Sequence, residues 1–229
     1  MTKRIDSISC FELLVFDWDG TIADSLGLIV RSVRHATGQL GLPEKSDQQI
    51  KDIIGLGLES AMERLYPGIS TSDRDALAAS YRGFYAGACS SEIVLFPQVE
   101  KTLQILRDAG HSMAVATGKS RRGLDRALLD TGLSEYFQYS RCADETFSKP
   151  HPQMLQDIMD IFAVERDSVL MIGDSEYDLL MAKNAGVASA AVSYGAQNSE
   201  FLLKFEPLTC LHNFSDLPEW LSEMAVNDS

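Results

Sequence analysis

The stretch Val15-Phe16-Asp17-Trp18-Asp19-Gly20-Thr21 decides the fold of this 229-residue chain. The run from Phe11 to Phe16 that leads into it reads as a short buried strand. Two carboxylates one residue apart follow at once, then a glycine at which the chain can turn sharply. Like charges this close are costly to bury unless a cation or a proton neutralises them. The stretch therefore marks either a metal site or a protonated carboxyl; the plain alternative is a solvated Asp-Gly turn.

Working outward, residues 24–90 contain no convincing strand. Leu28, Ile29, Val33, Ala36 and Leu40 recur at helical spacing, and Gly41 with Pro43 ends that helix. Ser46 is placed to cap a second helix running to Ile54, and Gly55-Leu56-Gly57 breaks it. A third helix is expected from about Leu58 to Leu65. A fourth runs from about Ser72 to Ala88, with Leu77, Tyr81, Phe84 and Tyr85 along one side. The expected organisation is a helical insert over 24–90, large enough for a small core of its own, within a domain made of 1–23 and 91–229. Hinges are expected near Asp24 and around Phe96.

From Pro97 onward the pattern alternates. Helices are predicted over Pro97–Ala109, Ser120–Asp130, Pro152–Phe162 and Glu176–Ala185. Strands are predicted over Ser112–Thr117, near Phe137–Ser140, over Ser168–Ile172 and Val187–Val192, with a last strand near Leu208–Leu211 and a last helix over Asp216–Met224. Such alternation predicts an α/β fold: a Rossmann-like, doubly wound parallel sheet with helices on both faces.

Composition narrows the function. A formal net charge of −13 argues against nucleic acid or an anionic membrane surface as partner. An anionic substrate would also be repelled at long range, so local cations would have to outweigh the global field. Cys10, Cys89, Cys142 and Cys210 form no CxxC pair, and none has an arginine six residues downstream. That removes a zinc site, a redox pair and a cysteine-phosphatase loop, and four reduced thiols suit a cytoplasmic protein. No long apolar N-terminal segment stands out as a leader or a membrane span.

Ligands of open parallel sheets bind beyond the carboxyl ends of the strands, and the polar residues fall there. Asp17 and Asp19 follow the first strand, Thr117-Gly118-Lys119-Ser120 the second, and Gly173-Asp174-Ser175-Glu176-Tyr177-Asp178 a later one. Asp178 lies one helical turn beyond Asp174, so both can face one side. Lys149, before Pro150, sits in a loop that can reach the same edge. Thr117–Ser120 is not a nucleotide P-loop, because its first glycine would fall at Met113. A hydroxyl with free N–H groups at a helix N-terminus, or a plain Ser120 N-cap, remains.

The series Asp17-x-Asp19-Gly20-Thr21, Thr117, Lys149-Pro150 and Gly173-Asp174-x-x-x-Asp178 resembles the four motifs of the haloacid dehalogenase superfamily of phosphohydrolases. The helical insert resembles the cap of its phosphoglycolate phosphatase-like subgroup; Trp18 stands where Phe or another apolar residue is more usual. The resemblance implies a Mg²⁺-dependent phosphomonoesterase acting on a small phosphorylated metabolite, as monomer or homodimer. Asp17 would be the nucleophile and Asp19 the acid and base. Mg²⁺ would sit on Asp17, the Asp19 carbonyl and Asp174, with Asp178 behind them; Thr117, Gly118 and Lys149 would bind the phosphoryl group. A divalent ion and a lysine act within a few ångströms, whereas the global field is screened beyond roughly 8 Å. The second aspartate favours phosphate over halide chemistry. A phosphomutase or a pyrophosphatase of the same superfamily is the nearest rival. A receiver-like signalling domain, which also uses a phosphorylated Asp, differs in motif order and lacks the insert.

Overall fold

The computed structural model describes residues 11–87 and 94–227. Leu13–Phe16 (β1) lies at the centre of a six-stranded sheet with Ser112–Thr117 (β4), Tyr139–Cys142 (β5), Val169–Gly173 (β6), Ala188–Val192 (β7) and Thr209–Leu211 (β8). The order is β5-β4-β1-β6-β7-β8 and every pairing is parallel. Numbered within the sheet alone this is the doubly wound order 3-2-1-4-5-6, whose winding reverses beside β1. Phe16 is in register with Val115 of β4 on one side and Ile172 of β6 on the other. β1 ends at Phe16, β6 one residue past Ile172 and β4 two residues past Val115, so the three strands finish at the same edge, where a crevice opens.

The strand period sorts the core into two layers. Leu14, Phe16, Met113, Val115, Leu170 and Ile172 face one side, against Val99, Leu103 and Leu106 of α5 (Val99–Asp108) and Leu217 and Leu221 of α10 (Leu217–Asn227). Leu13, Val15, Ala114, Ala116, Val169 and Met171 face the other, against Met154, Leu155 and Ile158 of α7 (Gln153–Phe162) and Met181 and Ala182 of α8 (Glu176–Ala185). β1 and β6 are buried along their whole length, as strands covered on both faces must be.

Four helices, α1 (Leu26–Gln39), α2 (Asp47–Lys51), α3 (Leu58–Leu65) and α4 (Thr71–Gly87), form a separate layer. They share a core built from Ile29, Val33, Ile50, Met62, Leu65 and Leu77, to which the sheet side adds Ala196. The layer joins the sheet through Ala23–Asp24 (β2), paired antiparallel with Val94–Leu95 (β3), and Phe96 N–H donates to the Ile22 carbonyl at 3.1 Å. The two expected hinge positions thus lie on one short ribbon.

Several expectations needed correction. α2 ends at Lys51 rather than Ile54: its capping box, Ser46 with Gln49, forms as expected, but the following residues close into turns. α5 begins at Val99, because Gln98 adopts φ 64°, a left-handed conformation outside the helix. β5 lies at Tyr139–Cys142, two residues later than expected, and a one-turn helix, Ser199–Leu202 (α9), went unnoticed. Phe84 leaves the core of its layer and stacks on His35 at 4.4 Å. Cys10 and Cys89 lie outside the described residues; Cys142 and Cys210 are free thiols. Among the described residues no helix is long and apolar enough to cross a membrane.

Phe16 is fully buried between the Phe137 and Phe214 rings, at 6.1 and 5.7 Å, whereas Phe84 is 37% exposed. Phe16→Ala should therefore cost about 3–5 kcal/mol in urea unfolding and Phe84→Ala under about 1 kcal/mol. Equal losses would contradict this layering.

Candidate active site

Asp17 is the first residue beyond β1, and its N–H donates to the Ile172 carbonyl at 2.9 Å, which carries the β1–β6 pairing one step further. Its side chain is buried among two other acids. Carboxylate oxygens of Asp17, Asp174 and Asp178, all buried, lie within 4.8 Å of one another. Asp174 follows β6, and Asp178 sits in the first turn of α8. Sequence distances above 150 residues collapse here because β1 and β6 are neighbours at the winding reversal.

Each acid is pinned by its own partners. Asp174 accepts from the Thr21 hydroxyl at 3.0 Å and from the Ala196 N–H at 2.7 Å. Two glycines let the backbone close on it. A Cβ on Gly20 (φ 86°) would lie 2.1 Å from Asp174 Oδ2, and one on Gly195 would lie 2.3 Å from the same atom. Asp178 accepts from the Ser175 hydroxyl at 2.6 Å and the Ser175 N–H at 3.1 Å, a capping box for α8. Gly173 has no room for a Cβ, which would fall 2.3 Å from Asp178 Cβ.

Lys149 comes from the loop after β5 and is fully buried. Its Nζ lies 2.7 Å from Asp17 Oδ1 and donates to Asp178 Oδ1 at 2.6 Å. The contact with Asp17 is close but poorly directed, so Asp17 Oδ1 is paired by charge and lacks a well-formed hydrogen bond. Three carboxylates against one ammonium leave two negative charges in excess if all are ionised. Burial, with Asp178 and Asp174 adding to it and Lys149 opposing it, holds Asp17 well above the usual carboxylate range. Burial and the neighbouring Asp178 push Asp174 up to about 7. Burial alone would lower Lys149, but Asp17 and Asp178 hold it above its ordinary value. A buried, all-oxygen donor set two positive charges short, with one oxygen imperfectly bonded, fits a hard divalent cation.

Asp19 takes another course. Its carboxylate is not part of the acidic cluster and accepts from the Ser25 hydroxyl at 2.5 Å and from Lys119 Nζ, 3.0 Å from both oxygens. Lys119 also donates to the Tyr85 hydroxyl at 2.9 Å and sits 4.6 Å from that ring's centre. Thr117 ends β4 at the same sheet edge, fully buried, and its hydroxyl accepts from the Lys119 N–H at 3.2 Å. Ser120 does cap α6 (Arg121–Thr131), with Gly123 N–H at 3.3 Å. Gly118 lies under the helical layer: a Cβ there would fall 2.4 Å from the Leu56 carbonyl oxygen. The layer is also fastened by Gly57 N–H to the Ser148 hydroxyl and by the Tyr177 hydroxyl to the Asp52 carbonyl, both 2.8 Å.

The structure thus gathers the residues singled out in the sequence at one sheet edge, with Asp17, Asp174, Asp178 and Lys149 in direct proximity and Asp19 held separately by Lys119 and Ser25. Sequence reasoning passed over Lys119, Thr21, Ser25, Tyr85 and the Ala196 N–H. Lys119 and Thr21 lay inside quoted motifs. Ser25, Tyr85 and a backbone N–H carry no signal in one sequence.

Residues 14–192 match the model of a family described as haloacid dehalogenase-like hydrolase. Phosphoglycolate phosphatase of Vibrio parahaemolyticus is 32% identical over 217 residues, covering 91% of this chain and 95% of that protein. Pyrophosphatase PpaX of Bacillus cereus is 28% identical over 212 residues, covering 92% and 96%. In fold, the chain is similar to a haloacid dehalogenase-like family hydrolase of Streptococcus pneumoniae, with a TM-score of 0.81 at 21% identity over 92% of this chain and 98% of that one.

Two measurements test the charge deficit. A divalent cation at a hundred times its Kd should raise the unfolding free energy of metal-free protein by about 2.7 kcal/mol, and Asp174→Asn should lose most of that gain. In metal-free protein the raised Asp174 means that the folded state binds more protons than the unfolded one from about pH 4, near the ordinary aspartate value of 3.8, to about pH 7. Its contribution to stability is present below that window and lost as pH rises through it, so wild type should lose stability relative to Asp174→Asn between those limits. Parallel pH curves would contradict the assignment.

Proposed function

The chain belongs to the haloacid dehalogenase-like hydrolases, and within that family we propose that it hydrolyses phosphoric esters of small metabolites through an aspartyl-phosphate on Asp17. One observation carries the reading: a buried Asp17–Asp174–Asp178 cluster with Lys149 inside it, while Asp19, two residues from Asp17, is held separately by Lys119 and Ser25.

A carboxylate oxygen of Asp17 attacks phosphorus, and the bond to the ester oxygen breaks. Asp19 supplies the proton that leaves with that oxygen. The same carboxylate then takes a proton from the water that attacks the acyl phosphate, which releases inorganic phosphate and restores Asp17. Lys149 carries positive charge beside Asp17 and supports the charge that develops on the phosphoryl oxygens, with the Thr117 hydroxyl and the N–H of Gly118 at the same edge. Asp17, Asp174 and the Asp19 carbonyl would hold Mg²⁺, with Asp178 behind them orienting Lys149. When bound, the ion neutralises the acids and draws charge from the phosphoryl group.

Residues 24–90 serve in this reading as a cap whose Gly55-Leu56-Gly57 loop closes over Gly118 and limits water at the site. The identity with phosphoglycolate phosphatase of Vibrio parahaemolyticus supports a monoester of a small acid as substrate. The Bacillus cereus relative favours pyrophosphate as a second reading.

Phosphate release from a generic aryl phosphate should require Mg²⁺, and Asp17→Asn should lower kcat by about four or more orders of magnitude. In kcat/KM, which reports the step that expels the ester oxygen, Asp19→Asn should cost about 10²–10⁴ with an alkyl phosphate and much less with an aryl phosphate, whose oxygen leaves without a proton. Full activity in Asp17→Asn would overturn the proposed nucleophile, and equal losses for both esters in Asp19→Asn the proposed acid.

A further inference from the structure

Lys119 is a buried cation that the chemistry above does not use. It lies two residues beyond Thr117 on the loop after β4, its side chain only 9% exposed, and its charge is answered by Asp19. The helical layer presents two phenols to it: Tyr85 bonds its Nζ at 2.9 Å, and Tyr81 stacks on Tyr85 at 5.7 Å. Both Asp19 oxygens lie 3.0 Å from its Nζ, and so close an ion pair favours the charged amine. The ammonium therefore stays charged in the crevice.

Its position relative to the reaction follows from Asp19. An acid that protonates the ester oxygen must come within about 3 Å of it, and Lys119 Nζ lies 3.0 Å from both Asp19 oxygens. The ammonium is thus about 6 Å or less from the leaving oxygen, and its partners are not those of Lys149. That distance suits a group two or three bonds beyond the oxygen, in the part of the substrate that departs. Charge balance points the same way. While Asp19 carries the proton destined for the leaving group it gives Lys119 no counter-charge, and a buried ammonium without one is costly. A negative group on the leaving side restores the balance.

Resting on the phosphoric-ester reading above, we propose that Lys119, positioned by Tyr85, is the specificity-determining residue for the departing half of the substrate. It selects esters whose leaving group is itself anionic, by moving from the Asp19 carboxylate onto that anion. A carboxylate and a second phosphate share the required chemistry. The phosphoryl side keeps its own lysine, Lys149, so the two cations read opposite ends of one substrate.

The test compares kcat/KM for 2-phosphoglycolate (carboxylate on the leaving group), pyrophosphate (phosphate on it) and ethyl phosphate (no charge on it) in wild type, Lys119→Met and Lys119→Arg. The proposal expects the ratio of one or both anionic esters to ethyl phosphate to fall by about ten- to a hundred-fold in Lys119→Met. It also expects Lys119→Arg, which keeps the charge, to recover much of it. Which ester moves distinguishes carboxylate from phosphate. Because the ratio is internal to each preparation, a fraction of unfolded enzyme cancels. A lysine that served only to orient Asp19 would lower all three esters alike, and ratios within about threefold of wild type would overturn the proposal. Calorimetric binding of the same esters to Asp17→Asn protein, with and without Lys119→Met, gives the ratio without turnover. If wild type hydrolyses none of the three, the ester reading fails, and the binding ratio still decides for or against Lys119.

Discussion

Excess negative charge held out of water at the winding reversal governs the rest of this molecule. Three buried carboxylates surround one ammonium. The arrangement is costly for the fold on its own, since burial and like charge oppose ionisation of Asp17 and Asp174. It persists because the backbone leaves little alternative. β1 and β6 are adjacent and fully buried, Gly20 and Gly195 close on Asp174 from two sides, and Gly173 abuts Asp178. Each glycine sits where a Cβ would collide with a carboxylate. The scaffold holds the acids in place, and a bound cation would relieve them.

Asp17 and Asp19 share one short stretch and separate into different surroundings. Asp17 continues the β1–β6 pairing and meets Lys149, whereas Asp19, two residues on, meets Lys119 of the loop after β4. Each acid thus has its own lysine, and the two lysines arrive from different loops. That separation would let one carboxylate remain in the acidic cluster beside Lys149 while the other exchanges a proton, two tasks that a single shared environment would set in conflict. The helical layer reaches the first environment by packing on Ala196 and the second by the direct bond from Lys119 to Tyr85. Substrate choice is therefore expected to be written on the Asp19 side.

Much of this was legible in the sequence, for physical reasons. Alternating helix and strand periods specify a doubly wound sheet, and such a sheet delivers the ends of its strands to one edge. Asp17, Thr117, Lys149, Asp174 and Asp178 could be placed there without knowing a distance. The less legible parts depend on contacts between segments. The Ala196 N–H on Asp174, Tyr85 on Lys119 and Ser25 on Asp19 arise from packing that no local pattern encodes. The two-residue strands β2 and β3 are too short to show a period, and α5 begins late because Gln98 turns left-handed. Lys119 stood in plain view beside Thr117, but a lysine in a loop ordinarily reads as solvated. Its burial appears only once α4 is laid across it.

The central claim is that Asp17 carries the phosphoryl group between two half-reactions. Borohydride added during steady turnover of an aryl phosphate reduces an acyl phosphate to an alcohol, and peptide mass spectrometry then locates the altered side chain. The expected result is homoserine at position 17, dependent on substrate and absent from Asp17→Asn. Turnover that leaves Asp17 unreduced, or reduction at another carboxylate, would contradict it.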